Sequence, residues 1–164
     1  MSTPGTCELC GRSLDEHDRD LRFRLPEPVL RLPDKERTEG TWLNEPDPDR
    51  AVMMQVPDVG AFVRCLLPVK LSGGYQLHFG LWLEIHPDDV KRVFGQWWEP
   101  TYGTLTFDGR LANRLPVWDL YGTPASAKVV EEDETPYIVA SESAELTRVL
   151  TDEWPHEDVL PALP

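Results

Sequence analysis

A chain of 164 residues and 18.7 kDa is long enough to bury one core, and 16 prolines with a hydrophobic fraction of 40% predict long ordered loops around a compact sheet. The formal net charge of -13 would repel a phosphate backbone, whose binding depends on Lys and Arg displacing counterions, so nucleic acid is not an expected partner. An anionic membrane surface is disfavoured for the same reason, whereas a basic protein partner or a cationic ligand fits the charge.

At the N-terminus, Met1 to Thr6 lack the basic start and apolar core of a signal peptide, and no apolar run reaches the roughly 18 residues that a membrane span requires, so the expectation is a cytoplasmic protein. Next comes Cys7-Glu8-Leu9-Cys10-Gly11, a tight turn that can bring two thiolates onto one zinc ion. This is half a metal site, since no second Cys-x-x-Cys or His-x-x-x-His follows. His17 and Cys65 could complete a set of three sulfurs and one nitrogen if the arm folds back onto the strand that carries Cys65. The alternative is a reduced or disulfide-linked Cys7–Cys10 pair that only caps the arm, with no cofactor. A redox role is weaker, because a proline-rich loop follows where Cys-x-x-Cys catalysis uses a strand-to-helix setting.

Residues 15–50 are rich in Asp, Glu, Arg and Pro, and Leu25-Pro26-Glu27-Pro28 and Glu45-Pro46-Asp47-Pro48 cannot sit inside a helix or central strand. Scattered Phe23, Leu25, Val29, Leu30, Leu32 and Trp42 predict an irregular arm that lies against the body of the domain.

From Arg50 the pattern turns β-prone: strands are predicted over Ala51–Val56, Ala61–Leu71 and Tyr75–Ile85. The glycines after Ser72 provide a hairpin turn between the last two. In Tyr75–Ile85 the odd positions are all apolar, which makes one face core, while the even positions carry Gln76, His78, Gly80, Trp82 and Glu84. A two-residue loop at Ser72-Gly73 would set Val63 opposite Trp82 and put Arg64 on the face of Phe79 and Leu81; a one-residue bulge would bring Arg64 beside Trp82.

His86-Pro87-Asp88-Asp89 reads as a helix start, with proline where no amide proton is needed and acids in the positive first turn. Val90, Val93, Phe94, Trp97 and Trp98 follow at helical spacing as a core stripe, and Glu99-Pro100 stops the helix. Further strands are expected over Tyr102–Leu111, interrupted at Asp108-Gly109, and over Ser126–Glu131 and Tyr137–Ala140. A last helix covers Glu142–Asp152, and the chain from Pro155 is expected to fray.

Together these elements predict an α+β fold, an antiparallel β-sheet of about five to six strands with two or more helices packed on one side and a loop-rich N-terminal arm. Residues 1–50 form the Cys-x-x-Cys knuckle and arm, 51–154 the body and 155–164 the tail of a single domain.

Phe62 to Val69, Phe79 to Ile85 and Leu111 to Pro116 follow the knuckle in an order and spacing that resemble the bacterial family catalogued as domain of unknown function 2199. That family's pattern runs through Cys-x-x-Cys-Gly, a Phe-x-Arg strand, a Trp-Gly-x-Trp strand and an Asn-x-Leu-Pro turn. Here Leu14 stands where the family usually has histidine, Ala51-Val52-Met53-Met54 where it often has cysteine, and Phe79 in place of the first tryptophan. The resemblance implies no activity.

Candidate binding residues are Arg64, His78 and Trp82, as a pocket over the mixed sheet face, and Asn113 in its turn. The structural alternative sets Arg64 against a carboxylate or an aromatic ring and lets Asn113 satisfy its own backbone. Nucleophile-elbow, phosphate-loop and dinucleotide signatures are absent, and no catalytic residue is assigned. The leading expectation is a non-catalytic domain, inhibitor-like, immunity-like or adaptor-like, that meets a basic protein through an acidic surface and the aromatic sheet face. The alternatives are a small-ligand binder or enzyme using the pocket, and a zinc-stapled structural domain.

Overall fold

The computed structural model describes residues 19–33, 40–45, 47 and 50–163. Its spine is a long antiparallel hairpin of β4 (Gly60–Leu71) and β5 (Gln76–Ile85), paired from Ala61↔Ile85 to Lys70↔Gln76. The loop between them is three residues long, Ser72–Gly74, with Gly73 at φ 81 and Gly74 at φ 80. Two consecutive left-handed residues are cheap only for glycine, which is why the turn sits here. The third loop residue shifts the ladder by one relative to a two-residue loop, so Arg64, not Val63, lies opposite Trp82.

Nine strands are found among the described residues, against the five to six expected. β4 and β5 continue through β6 (Thr106–Leu111), β7 (Pro124–Lys128) and β8 (Tyr137–Ala140), each pair antiparallel. A parallel bridge from Leu66 to Tyr137 then returns β8 to β4 and closes the sheet into a small barrel. β1 (Arg19–Arg22) runs parallel to the first half of β5, and β3 (Met53–Val56) pairs the first half of β4 and carries β2 (Trp42–Leu43). β9 (Glu153–Trp154) lies parallel to the end of β4.

The interior is built from odd positions of the spine. Val63, Cys65, Leu67 and Val69 of β4 meet Leu77, Phe79, Leu81 and Leu83 of β5 in the main core, all at most 1% exposed. Helix α2 (Pro87–Trp97) adds Val90 and Val93, and α3 (Ala144–Thr151) adds Leu146 and Val149 to the same cluster. At roughly 1.5–3 kcal/mol per fully buried aliphatic or aromatic side chain, this cluster is the main source of stability. On the other side of the wall a second cluster joins Phe62, Trp82, Met54 and Val56 to Val29 of the short helix α1 (Glu27–Leu30). The arm thus lies against the body, but it carries β1, α1 and β2 rather than being wholly irregular.

Three further expectations change. Helix α2 begins as predicted, with His86 Nδ1 accepting from the Asp88 amide at 3.1 Å, but it ends at Trp97. Trp98 therefore leaves the apolar stripe and stands 60% exposed, with Phe94 at 41%, so neither is a core residue. The strand expected from Tyr102 begins only at Thr106, because Pro100–Thr104 form a 3-10 turn, and Asp108-Gly109 does not interrupt it. A Cβ at Gly109 would strike the Glu84 carbonyl oxygen, so glycine is what lets β6 approach β5. The segment from Pro155 is docked, not frayed. It forms α4 (His156–Val159) and a 3-10 turn, and Val159 and Leu160 are buried in the main core. Ser72 Oγ accepts from the His156 amide at 3.0 Å and lies 2.7 Å from His156 Nδ1, which fastens this segment to the hairpin loop.

Candidate functional site

Alternation along the spine sends the even positions of β4 and β5 to the face opposite the barrel interior. In the first half of β4 that face is roofed by the arm. Arg64 is 2% exposed, and its guanidinium lies 4.3 Å from the centre of the Trp82 ring, which is itself fully buried. Arg64 Nε donates to the Ala51 carbonyl at 3.0 Å, Nη1 to Phe23 O at 2.7 Å and Nη2 to Arg24 O at 3.5 Å. Trp82 Nε1 donates to the same Arg24 O at 3.3 Å. Asn113, also fully buried, accepts from the Trp82 amide at 2.8 Å through Oδ1 and donates to Leu25 O at 2.9 Å through Nδ2.

Three successive carbonyls, of residues 23, 24 and 25, are thus held by Arg64, Trp82 and Asn113. A guanidinium suits this task because its planar fork presents several donors at fixed angles and tolerates an aromatic face. Arg64, Trp82 and Asn113, one residue from each of three distant segments, thus form one device that seats the arm. Asn113 bonds across to the arm and to β5 rather than satisfying only its own turn. Trp82, being buried, is not offered to a partner as an aromatic surface.

In the second half of the spine the same face opens into a cavity of about 680 Å³. Gln76 and His78 of β5 form its floor with Leu66 of β4; Arg64 closes one end, and Arg22 of β1 and Tyr137 of β8 stand at its sides. At the β1 wall Gly80 pairs with Arg22, and Arg22 Cγ lies close over it. On the opposite side Tyr137 sets its ring edge-on to His78, with centroids 6.3 Å apart, and its hydroxyl donates to Glu134 Oε2 at 2.5 Å. The loop that carries Glu134 is pinned from beneath by Tyr102, whose hydroxyl donates to Glu134 O at 2.5 Å. Burial, and secondarily the neighbouring Cys65, push the Tyr102 phenol up, so it remains a donor.

Of the four predicted binding residues, Arg64 and His78 line this cavity, whereas Trp82 and Asn113 do not. Arg22, Gln76, Glu134 and Tyr137 were not singled out. The polar alternation of β5 already marks Gln76, but nothing local to Arg22 or Tyr137 shows that their strands flank β5 and β4.

Of the four residues considered for zinc, Cys7, Cys10 and His17 lie outside the described residues. Cys65 is fully buried in the apolar barrel interior, where burial pushes its thiol well above the usual range. Among the described residues no group of three or more His, Cys, Asp or Glu is placed to hold a metal ion, and no helix is long and apolar enough to cross a membrane.

The chain belongs to a bacterial family described as an uncharacterized protein conserved in bacteria (DUF2199), whose model matches residues 6–150. No curated protein and no solved structure matches it.

Proposed function

We propose that the protein binds a small molecule in the cavity over the second half of the β4–β5 spine. The observation that carries this reading is the cavity itself: its volume of about 680 Å³ falls in the range of ligand sites, and Arg22, His78, Gln76 and Tyr137 converge on it from three strands, β1, β5 and β8. Apolar Leu66 and the Tyr137 ring supply surface beside these polar groups, the mixture that a ligand site requires. The test is ligand-observed NMR with a pool of small metabolites, comparing the wild type with Leu66→Trp, which fills the floor from a half-buried position. Signals attenuated by the wild type and restored by Leu66→Trp support the reading; attenuation that Leu66→Trp leaves unchanged, or none at all, overturns it.

A second reading, a protein-binding domain with a basic partner, is supported by an exposed aromatic group elsewhere. Phe94 meets Trp42 edge-on at 5.4 Å and Trp98 at 4.8 Å, and the three are 38–60% exposed on a chain of net charge -13. If it holds, Trp98→Ser and Phe94→Ser weaken capture of that partner while Leu66→Trp does not. A zinc staple rests on Cys7 and Cys10, and metal analysis of protein purified without an affinity tag decides it.

A further inference from the structure

We infer that the ligand of this cavity carries an oxyanion, a carboxylate or a phosphate, joined to an apolar body; the inference rests on the cavity-binding reading and names its chemical class. The chain as a whole has 29 acidic residues against 16 Lys and Arg, so a cavity placed at random would carry more carboxylates than cations. This one reverses the ratio, with the guanidinium groups of Arg22 and Arg64 against the one carboxylate of Glu134 among its described lining. The Glu134 carboxylate is already engaged by the Tyr137 hydroxyl. Arg64 is nearly sealed from solvent, so its charge acts through a medium of low polarity and reaches further into the cavity than a surface charge would.

Arg22 is placed differently. Its stem rests on Gly80 and its side chain is exposed, which leaves its charged end at the cavity side to meet an anion that enters. Guanidinium groups present paired N–H donors that match the two oxygens of a carboxylate or phosphate. His78 and Gln76 add polar groups on the floor beyond Arg22, on the side away from Arg64. Beside this polar end lie Leu66 and the Tyr137 ring, a surface for an apolar body rather than a second charge.

Four probes that share a benzene ring and differ in the head group separate the possibilities: benzoate, phenyl phosphate, benzyl alcohol and benzylamine. Binding is followed by calorimetry or protein NMR up to millimolar concentrations. The expected result is that benzoate or phenyl phosphate binds at least about tenfold more tightly than the alcohol and the amine, a difference of about 1.4 kcal/mol. The better of the two anions identifies the head group. Arg22→Gln should then remove most of this preference and Arg22→Lys keep part of it. Arg148→Gln, the same charge change on an exposed position of α3, should leave it intact. Equal or tighter binding of the amine or the alcohol overturns the anion assignment and leaves the cavity reading standing. An anion preference unmoved by Arg22→Gln but removed by Arg148→Gln also overturns it, as an effect of net charge. Failure of all four probes contradicts both the assignment and the reading beneath it.

Discussion

Arg64 and Trp82 are cross-strand partners whose side chains stack at 4.3 Å and converge on one acceptor, the Arg24 carbonyl. This pair ties the outer wall of the barrel to the arm, and the arm in turn supplies β1, one side of the cavity. Removing the guanidinium leaves buried carbonyls without their donors and strips the face of the Trp82 ring. Arg64→Met should therefore destabilise the protein by about 3–5 kcal/mol in denaturant unfolding. Trypsin should also cut after Arg22, Arg24 or Arg31 in the variant under conditions where the wild type resists. An unchanged cleavage pattern would show that the arm is held by other contacts.

Asn113 offers a pH-dependent test of the same clamp. Its Nδ2 donates to Leu25 O at 2.9 Å, so Asn113→Asp sets a carboxyl oxygen against a carbonyl in a fully buried place. Burial and the opposed oxygen both favour the protonated acid, which raises the folded-state pKa above the unfolded value of about 3.9. The ionised form is the penalised one. The stability deficit relative to wild type should be small near pH 4 and grow as pH rises toward 7, as unfolding at the two pH values will show. A deficit independent of pH would contradict the assigned hydrogen bond.

Backbone strain is concentrated in the loop closed by Leu115 and Asp119, which exchange two backbone hydrogen bonds of 2.8 Å each. At its tip Val117 has φ 75 and is 54% exposed. A β-branched residue in the left-handed region costs at least about 1–2 kcal/mol, while glycine costs about 0.5–1 kcal/mol in chain entropy. Val117→Gly should raise stability by up to about 1 kcal/mol. The same change at Val139, an exposed strand position of β8, should lower it by about 1 kcal/mol. Opposite signs for one substitution at two exposed valines would establish the loop's conformation by thermal melting alone.

Cys65 sits in the barrel interior with its thiol pushed up by burial. In a Cys7→Ser, Cys10→Ser background, a thiol-specific reagent should label Cys65 only as fast as the protein unfolds. Rapid labelling of the native variant would mean that β4 is not packed as described.

The long elements were legible because their patterns are self-contained. Tyr75–Ile85 alternates over its whole length, and the His86-Pro87-Asp88-Asp89 start carries its own cap and charge complement. β1, β2 and β9 were not, since strands of two to four residues have too few positions to show a period and exist by pairing with free edges of β3, β4 and β5. The hairpin register turned on whether Gly74 belongs to the loop or to β5, and Ser-Gly-Gly permits either; that single residue decided whether Arg64 met Trp82. His78 was readable as a cavity residue from strand alternation, whereas the face of Arg64 depended on that register. Arg22 and Tyr137 became neighbours of the site only through a parallel pairing and a barrel closure, both of which join distant segments.

The most direct test of the cavity is an amide chemical-shift titration of the labelled wild type with phenyl phosphate. The account predicts shifts at Arg22, Gln76, His78, Gly80 and Tyr137, with Trp42, Phe94 and Trp98 unmoved; shifts confined to the exposed aromatic residues, or absent throughout, would contradict it.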